Sequence, residues 1–208
     1  MESIIPKYPL EIRTPRLTIR SATTSDAAGL YKFFTSVKNL PPGESVEPNL
    51  SIPAYEKRIT RWKEMAEEGK NAFMVVTLPN PNGQREGEEE LIGFGGYNTF
   101  ETTEGKVLTD IGVMIDVDHQ RRKYALEALC AKVEFAFGVL GVEVVRIETG
   151  LENEAFRRFI VDGVGLGGVE RVEEVSYRKG VEGYIYRFGS GEWEGIRKEL
   201  ETAGSWLL

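Results

Sequence analysis

The pattern of apolar and polar positions predicts that strands and helices alternate along this chain. Apolar side chains that recur at every second position indicate strands, and those that recur every three or four positions indicate helices. By that criterion strands are expected at residues 17–20, 72–78, 91–99, 107–115, 144–149, 168–176 and 183–188. Helices are expected at residues 26–35, 54–68, 124–138 and 153–161, with an amphipathic tail at residues 192–201. This order predicts an α/β (α+β) fold, in which helices cover both faces of a single mixed, mostly antiparallel central sheet.

Two segments between these elements favour loops rather than regular structure. Residues 39–53 contain Pro41, Pro42, Pro48 and Pro53, which predicts a surface loop. Residues 79–90 are rich in turn-forming and acidic residues, which predicts a connection between two strands of a hairpin. No repeat or interior linker divides the chain, so we expect a single domain over residues 1–208. Its core is expected at residues 10–190, followed by a helical tail at residues 191–208.

A site for a phosphate group is predicted where the strand at residues 107–115 leads into the helix at residues 124–138. The turn between them carries three consecutive cationic residues, Arg121, Arg122 and Lys123. The first turn of a helix presents unpaired backbone N–H groups and the positive end of the helix dipole. Next to a cationic turn, this arrangement favours the binding of an anion such as phosphate.

The overall charge narrows the classes of partner. The chain has 26 Lys and Arg residues against 33 Asp and Glu residues, a net charge of -7. This balance argues against nucleic acid as a partner and favours a cationic substrate over an anionic one. No apolar run reaches the length of a membrane span, so no membrane partner is expected.

The content of cysteine and histidine limits the chemistry further. Cys130 is the only cysteine, which excludes an internal disulfide and fits a reducing, cytoplasmic location. It lies on the apolar side of the predicted helix, so it is expected to be buried and unreactive. With His119 as the only histidine, the chain lacks the ligands of a zinc-type site, and no metal is expected.

Four segments together resemble the GNAT N-acetyltransferase superfamily, in particular the branch that contains the ribosomal-protein alanine N-acetyltransferases. They are EIRTPRLTIRSATTSDAAGLYKF at residues 11–33, IGVMIDVDHQRRKYALEAL at 111–129, TGLENEAFRRFI at 149–160 and GYIYRF at 183–188. The resemblance implies the acyl-CoA N-acyltransferase (GNAT) fold and acetyl-CoA as the cosubstrate. It also implies direct transfer of the acetyl group to a primary amine, on a small molecule or at a protein N-terminus.

The resemblance also implies which residues hold the coenzyme. The family's pyrophosphate turn, Q/R-x-x-G-x-G/A, corresponds to Gln120, Arg121, Arg122, Lys123, Tyr124 and Ala125. Lys123 replaces the first glycine of that pattern, a departure that matters because a glycine lets the backbone approach the phosphates without a Cβ atom. The backbone of Met114 and Ile115 corresponds to the strand edge that pairs with the pantetheine arm. Asn153 matches a family asparagine that helps to hold that arm, although it could equally cap the following helix.

The same resemblance also implies candidates for the catalytic groups. Asp110, on the central strand, is the first candidate for the general base, and Glu148, on the next strand, is the second. Each could instead be a solvated carboxylate at a strand end. Tyr124 is a candidate proton donor, together with Tyr184 and Tyr186, and core packing is the alternative role for each of these tyrosines.

Two other functions stay open at this point. A non-catalytic acyl-CoA-binding or regulatory domain on the same fold would fit two departures from the family pattern, Lys123 in place of glycine and Phe156 in place of serine. The apolar tail at residues 206–208 would fit an interaction module without coenzyme, if it formed an exposed patch. The sequence names neither the acceptor amine nor the oligomeric state.

Overall fold

A single mixed sheet organises residues 8–79 and 89–208, which are the residues that the computed structural model describes. Its strands are β1 Glu11–Arg13, β2 Thr18–Ser21, β3 Ala72–Leu78, β4 Glu90–Thr103, β5 Lys106–Ile115, β6 Val144–Gly150, β7 Glu170–Glu174 and β8 Glu182–Phe188. The α-helices are α1 Ala27–Thr35, α2 Ile52–Glu67, α3 Tyr124–Gly138, α4 Glu154–Arg158 and α5 Ser190–Thr202. The strands lie in the order β1-β2-β3-β4-β5-β6-β8-β7, and every neighbouring pair is antiparallel except β5 and β6.

Helices cover both faces of this sheet, as the sequence predicted. Successive residues of a strand point to opposite faces, and β3 shows the division clearly. Met74 and Val76 belong to the larger core cluster, which includes α3 and α5, whereas Val75 belongs to a second cluster with residues of α1 and α2. The α/β prediction with helices on both faces of one mixed sheet is therefore confirmed.

The sheet opens between its two parallel strands. β5 and β6 pair at only three positions, Leu108 with Val144, Thr109 with Val145 and Asp110 with Arg146. Beyond Asp110, β5 continues to pair with β4 as far as Ile115, and β6 continues to pair with β8 as far as Gly150. The two strands therefore diverge, and we call the space between residues 111–115 and residues 147–150 the β5–β6 gap. It opens at the carboxyl ends of parallel strands, which is a common place for ligands in α/β sheets.

The glycines of β4 allow close contact between neighbouring strands. A Cβ atom at Gly95 would collide with the Gly112 carbonyl on β5, and one at Gly96 would collide with the Ala72 carbonyl on β3. The register of β4 on β5 also shifts between Tyr97 and Thr99. The glycines thus let the backbones of β3 and β5 approach β4 closely.

Several boundaries differ from the predicted ones. β1 was not predicted. α2 begins two residues before its predicted start, because Ser51 caps it by accepting a hydrogen bond from the Ala54 N–H and because Pro53 fits into the first turn. The helix predicted at residues 153–161 is α4 followed by a π-helical turn, Phe159–Val164. Residues 80–88 of the predicted hairpin connection, and residues 1–7, lie outside the described residues.

α3 has the predicted bounds, but it is buried on more than one side. The run from Leu126 to Val133 is buried throughout, because the sheet covers one side and α5 with the following tail covers another. Trp206 and Leu207 of that tail pack against the main core rather than forming an exposed apolar patch. The observation that would have favoured an interaction module is therefore absent. Within residues 8–79 and 89–208, no helix has both the length and the apolar character needed to cross a membrane.

Candidate active site

The turn before α3 has an unusual backbone. Arg121 has φ 61° and Lys123 has φ 63° and ψ 13°, both in the left-handed region. For residues with a side chain this conformation costs about 1–2 kcal/mol. Lys123 therefore occupies a conformation that suits glycine, at the position where the family pattern has glycine. Right-handed angles, which would have made the lysine unremarkable, are not adopted.

Contacts from the β1–β2 connection hold this turn in place. Arg16 donates from Nη1 to the Arg122 carbonyl (3.1 Å) and from Nε to Glu127 Oε2 (2.6 Å). Its guanidinium also lies over the Tyr124 ring, 4.8 Å from the ring centre. Glu127 is buried in α3 and accepts a further hydrogen bond from the Thr14 hydroxyl (2.6 Å). This set of contacts, which we call the Arg16 clamp, compensates for the strained backbone of the turn.

The remaining residues of the turn surround the start of α3. Arg121, Arg122 and Lys123 are exposed, and Lys123 Nζ donates to the Ser205 hydroxyl at 3.4 Å. Gln120 donates from Nε2 to the Ile115 carbonyl (3.0 Å), and the side chain of Ala125 packs against the main core. Three exposed cations thus stand at the N-terminus of a helix of 15 residues. This arrangement can hold a phosphate or pyrophosphate group.

The register of β4 on β5 decides which backbone groups face the β5–β6 gap. The Asp116 N–H donates to the Ile92 carbonyl (2.8 Å), and Gly93 lies opposite Ile115. Because hydrogen-bonding direction alternates along an antiparallel strand, the backbone groups of Met114 point to β4. Those of Val113 and Ile115 point to the gap. The backbone of Ile115 thus faces the gap and that of Met114 faces β4, and Val113 had not been identified from the sequence.

Two buried carboxylates share one guanidinium where β5 and β6 separate. Arg146 Nε lies 3.2 Å from Asp110 Oδ2 and 2.9 Å from Glu148 Oε1. We call these three residues the Arg146 cluster. Asp110 is 5% exposed and the Glu148 side chain 2%, so neither is the solvated strand-end carboxylate that the sequence left open. The three side chains share one face of the sheet because Asp110 pairs with Arg146, and Glu148 follows Arg146 by two residues.

The two carboxylates of the cluster have different environments. Glu148 accepts hydrogen bonds from both the backbone N–H (2.7 Å) and the hydroxyl of Ser176. Burial raises the pKa of Asp110 to about 7, and the nearby Glu148 charge adds to this increase. A hydrogen bond from Asn98 Nδ2 (2.5 Å) and the charge of Arg146 oppose it. Asp110 can therefore exchange a proton near neutral pH, as a general base must.

Arg146, Asn98 and Ser176 were not singled out from the sequence. Arg146 carried a visible signal, since it is a cation inside the apolar strand VVRIET and lies two residues from Glu148. Strand periodicity alone would place these two side chains on the same face. Asn98 and Ser176 reach the cluster through strand pairing and a distant loop, for which the sequence holds no local signal.

Other candidate residues have partners that account for their positions. Asn153 caps α4, accepting a hydrogen bond from the Phe156 N–H (3.3 Å) and donating to the Thr149 hydroxyl (3.0 Å). Tyr184 donates to Glu154 (3.2 Å) and Tyr186 to Glu170 (2.7 Å). Tyr124 stacks with Arg16 and, among the described residues, forms no hydrogen bond with Asp110 or Glu148.

The cysteine and the histidine lie apart from this chemistry. Cys130 is buried, and burial raises the pKa of its thiol to about 12, so it is unreactive as expected. His119 lies 3.4 Å from Glu90 and 3.8 Å from Asp116, in the turn that precedes α3. In the described part of the chain, no group of three or more His, Cys, Asp or Glu side chains is arranged to hold a metal ion.

Comparison with known proteins gives the family. A family profile described as "Acetyltransferase (GNAT) domain" matches residues 16–161. The chain is 25% identical over 161 residues to the Bacillus subtilis (strain 168) protein named "Uncharacterized N-acetyltransferase YoaA", covering 72% of this chain and 79% of that protein. The family that the sequence motifs resembled is therefore confirmed.

Solved structures share the fold at low sequence identity. RimJ of Mycobacterium smegmatis, in complex with CoA-disulfide, aligns with a TM-score of 0.70 and 16% identity over 95% of this chain and 94% of its own. The ribosomal-protein-S5-alanine acetyltransferase of Vibrio fischeri aligns with a TM-score of 0.68 and 15% identity over 88% and 98%. From the matched profile and the shared fold we conclude that this chain belongs to the GNAT acetyltransferase family and is an acetyltransferase enzyme.

Proposed function

We propose that this enzyme transfers the acetyl group of acetyl-CoA directly to a primary amine in the β5–β6 gap. One observation supports this most strongly: the gap has a buried carboxylate cluster at its closed end and a cationic helix start beside its open end. The distance from the closed to the open end is the length of β5 from Asp110 to Ile115. An elongated cosubstrate with an anionic group at one end and a reactive group at the other suits such a site.

The coenzyme would be held by backbone and by charge. Its pyrophosphate would bind at the N-terminus of α3, within the turn of Gln120, Arg121, Arg122, Lys123, Tyr124 and Ala125. Its pantetheine arm would lie along β5, where the Val113 carbonyl and the backbone groups of Ile115 face the gap and can pair with amides as a strand would. Asn153 caps α4 on the β6 side of the gap, where it would support the arm from the opposite direction.

The Arg146 cluster would supply the base. An alkylamine has a pKa near that of lysine, about 10.4, so it is protonated at neutral pH and must lose a proton before it attacks the thioester. Asp110 would accept this proton, because its pKa is raised to about 7 by burial. Glu148 would keep Arg146 paired during this exchange. Negative charge that develops on the thioester oxygen would be stabilised by a backbone N–H of β5, and Tyr124 is the candidate proton donor to the departing thiolate.

The acceptor would be a cationic amine. Glu44, Glu148 and Glu152 all lie close enough to Tyr177 to raise the pKa of its hydroxyl, after the larger effect of burial. Three carboxylates and Arg178 thus act on Tyr177, next to the Ser176 that contacts the Arg146 cluster, and this excess of negative charge agrees with the net charge of -7. A small amine and a protein N-terminus both carry that positive charge before they react. The Vibrio fischeri enzyme is named a ribosomal-protein-S5-alanine acetyltransferase, so a peptide with an N-terminal alanine is a suitable first test.

The segment between Asn39 and α2, residues 40–51, would border the acceptor. Asn39 anchors its base, donating to Asp116 Oδ2 (2.9 Å) and accepting from the Val117 N–H (2.9 Å). The start of this loop is thereby fixed to the segment that leads into the coenzyme turn. Binding of the acceptor and of the coenzyme would occur on two sides of one anchored segment.

The test combines a binding measurement with a transfer assay. Calorimetry with acetyl-CoA measures binding, and release of the coenzyme thiol measures transfer to small amines, aminosugars and peptides with a free N-terminal alanine. We expect Asp110→Asn to lower kcat by about 10²–10⁴-fold, typical for a general base, and to leave the Kd for acetyl-CoA within about twofold of the wild-type value. Glu148→Gln tests the second candidate base, Tyr124→Phe tests the proton donor, and Asp162→Asn, at an exposed position, is the matched control.

Each outcome has a distinct meaning. Absence of acetyl-CoA binding by the wild-type protein would refute the proposal. Binding without transfer to any amine would favour the non-catalytic acyl-CoA-binding alternative, which rests on Lys123 and Phe156. Transfer that is equally fast in Asp110→Asn would remove Asp110 as the base.

A further inference from the structure

Lys132 is a buried lysine in the middle of α3. Its side chain is 0% exposed, and no carboxylate of residues 8–79 or 89–208 forms an ion pair with it. Its Nζ donates a hydrogen bond to the Gly112 carbonyl on β5. Its backbone carbonyl accepts a hydrogen bond from the Tyr97 hydroxyl (2.9 Å) on β4. The lysine therefore reaches from the helix to the central strand of the sheet.

The sheet provides space for this ammonium group. A Cβ atom at Gly95 would lie 3.0 Å from Lys132 Nζ, so the glycine leaves room that a larger residue would fill. Burial of an ammonium group without a carboxylate is unfavourable, and it lowers the pKa of Lys132 to about 7. An apolar side chain of similar size would be accommodated more favourably here. Stabilisation of the fold is therefore not a sufficient reason for a lysine at this position.

The hydrogen bond to Gly112 acts on a peptide group that faces the β5–β6 gap. The Gly112 carbonyl and the Val113 N–H belong to the same planar, trans peptide, so they point in opposite directions. The carbonyl points to β4 and α3, where Lys132 holds it, and the Val113 N–H points to the gap. Hydrogen bonds in a chain polarise one another, so a donor on the carbonyl makes the N–H of the same peptide a stronger donor.

We propose that Lys132 is a positioning residue that orients and polarises the Gly112–Val113 peptide, so that the Val113 N–H stabilises negative charge on the thioester oxygen. This inference rests on the proposed acetyl transfer in the gap. Lys132 does not touch the acetyl group, because it lies on the α3 side of the sheet, and it acts through the backbone. It adds to the site a buried amino group that comes from neither of the strands that line the gap.

The expected effect is moderate. Loss of a whole oxyanion donor typically lowers kcat by about 10²–10³-fold. Polarisation changes the strength of one hydrogen bond by about 10–30%. The loss of Lys132 should therefore lower kcat by about two- to eightfold, without changing the contacts that bind the coenzyme.

The test compares Lys132→Met with Leu129→Met, a conservative substitution at another buried position of α3. We expect Lys132→Met to lower kcat by about two- to eightfold, to leave the KM for acetyl-CoA unchanged, and to melt at the same or a higher temperature than the wild type. The amide proton resonance of Val113 should move upfield in Lys132→Met, because its peptide is less polarised, and should stay in place in Leu129→Met.

Two results would overturn the inference. One is an unchanged kcat in Lys132→Met, and the other is a Val113 resonance that does not move. A loss of kcat that is accompanied by a lower melting temperature and an unmoved Val113 resonance would identify a purely structural role. If the wild-type protein transfers no acetyl group, the proposed function fails, and the Val113 resonance of the ligand-free protein still decides whether Lys132 polarises the peptide.

Discussion

The left-handed backbone of Lys123 predicts an uncommon result, namely that a glycine stabilises the start of a helix. Lys123 has φ 63° and ψ 13° directly before Tyr124, the first residue of α3. We therefore expect Lys123→Gly to be more stable than Lys123→Ala, although alanine is usually preferred to glycine in and near helices. The comparison between these two variants is the informative one, because both lack the lysine ammonium and differ only in the Cβ atom.

The size of the difference follows from two opposing contributions. A residue with a Cβ atom pays about 1–2 kcal/mol for the left-handed conformation. Glycine has greater conformational freedom in the unfolded chain, and this destabilises the folded state by about 0.5–1 kcal/mol. The net advantage of Lys123→Gly over Lys123→Ala is then about 1 kcal/mol. In a chain of this size that corresponds to a difference in Tm of about 2–4 °C.

The same pair of variants separates backbone from charge in coenzyme binding. The difference in Kd between the wild type and Lys123→Ala measures what the ammonium group contributes to acetyl-CoA binding. Its removal from an exposed site should weaken binding by about two- to fivefold. The difference in Kd between Lys123→Ala and Lys123→Gly measures the effect of the Cβ atom. The glycine variant should bind acetyl-CoA more tightly because its backbone can approach the phosphates. Thermal unfolding gives the stability and calorimetry gives the Kd. A glycine variant that is no more stable than the alanine variant would refute the strain at residue 123.

Three further predictions concern Asp110 and the Arg16 clamp. The value of kcat/KM should rise with pH and level off above about pH 7, because Asp110 must be ionised to act as a base, and a profile without this inflection would contradict its role. The native state keeps the Asp110 proton up to about pH 7, whereas the unfolded chain releases it near pH 3.8, the ordinary pKa of an aspartate. This group therefore makes the wild type less stable as the pH rises between these two values. Asp110→Asn, which cannot titrate, should therefore gain about 3 kcal/mol relative to the wild type between pH 5 and pH 8 in chemical denaturation, and a constant difference would disprove the raised pKa. Arg16→Lys keeps a cation near Glu127 but cannot also hold the Arg122 carbonyl, so the Kd for acetyl-CoA should rise by about three- to tenfold while kcat stays unchanged. Arg13→Lys, at an exposed position, is the control. A fall in Tm with an unchanged Kd would show that the clamp serves only the fold.

Elements with local signals could be predicted from the sequence because short-range physics determines them. The bounds of α3, 124–138, follow from the apolar spacing along the chain. The cationic turn before it, and Asn153 as a cap, are likewise visible because charge and capping chemistry act over a few residues. The α/β order and the coverage of both sheet faces follow from the sequence of these elements.

The tertiary structure decided what depends on distant partners. Arg16 reaches the Arg122 carbonyl across 106 residues of sequence, and no local pattern connects the two. The burial of Asp110, its pairing with Arg146, and the direction of the Val113 N–H all depend on strand register and on the point where β5 leaves β6. The sequence by itself determined where the ionisable residues stand along the chain and where α3 begins and ends, because those properties are local. Which of these groups face one another in the β5–β6 gap was decided only by the packed sheet, because strand pairing sums many weak contacts between segments far apart in the chain.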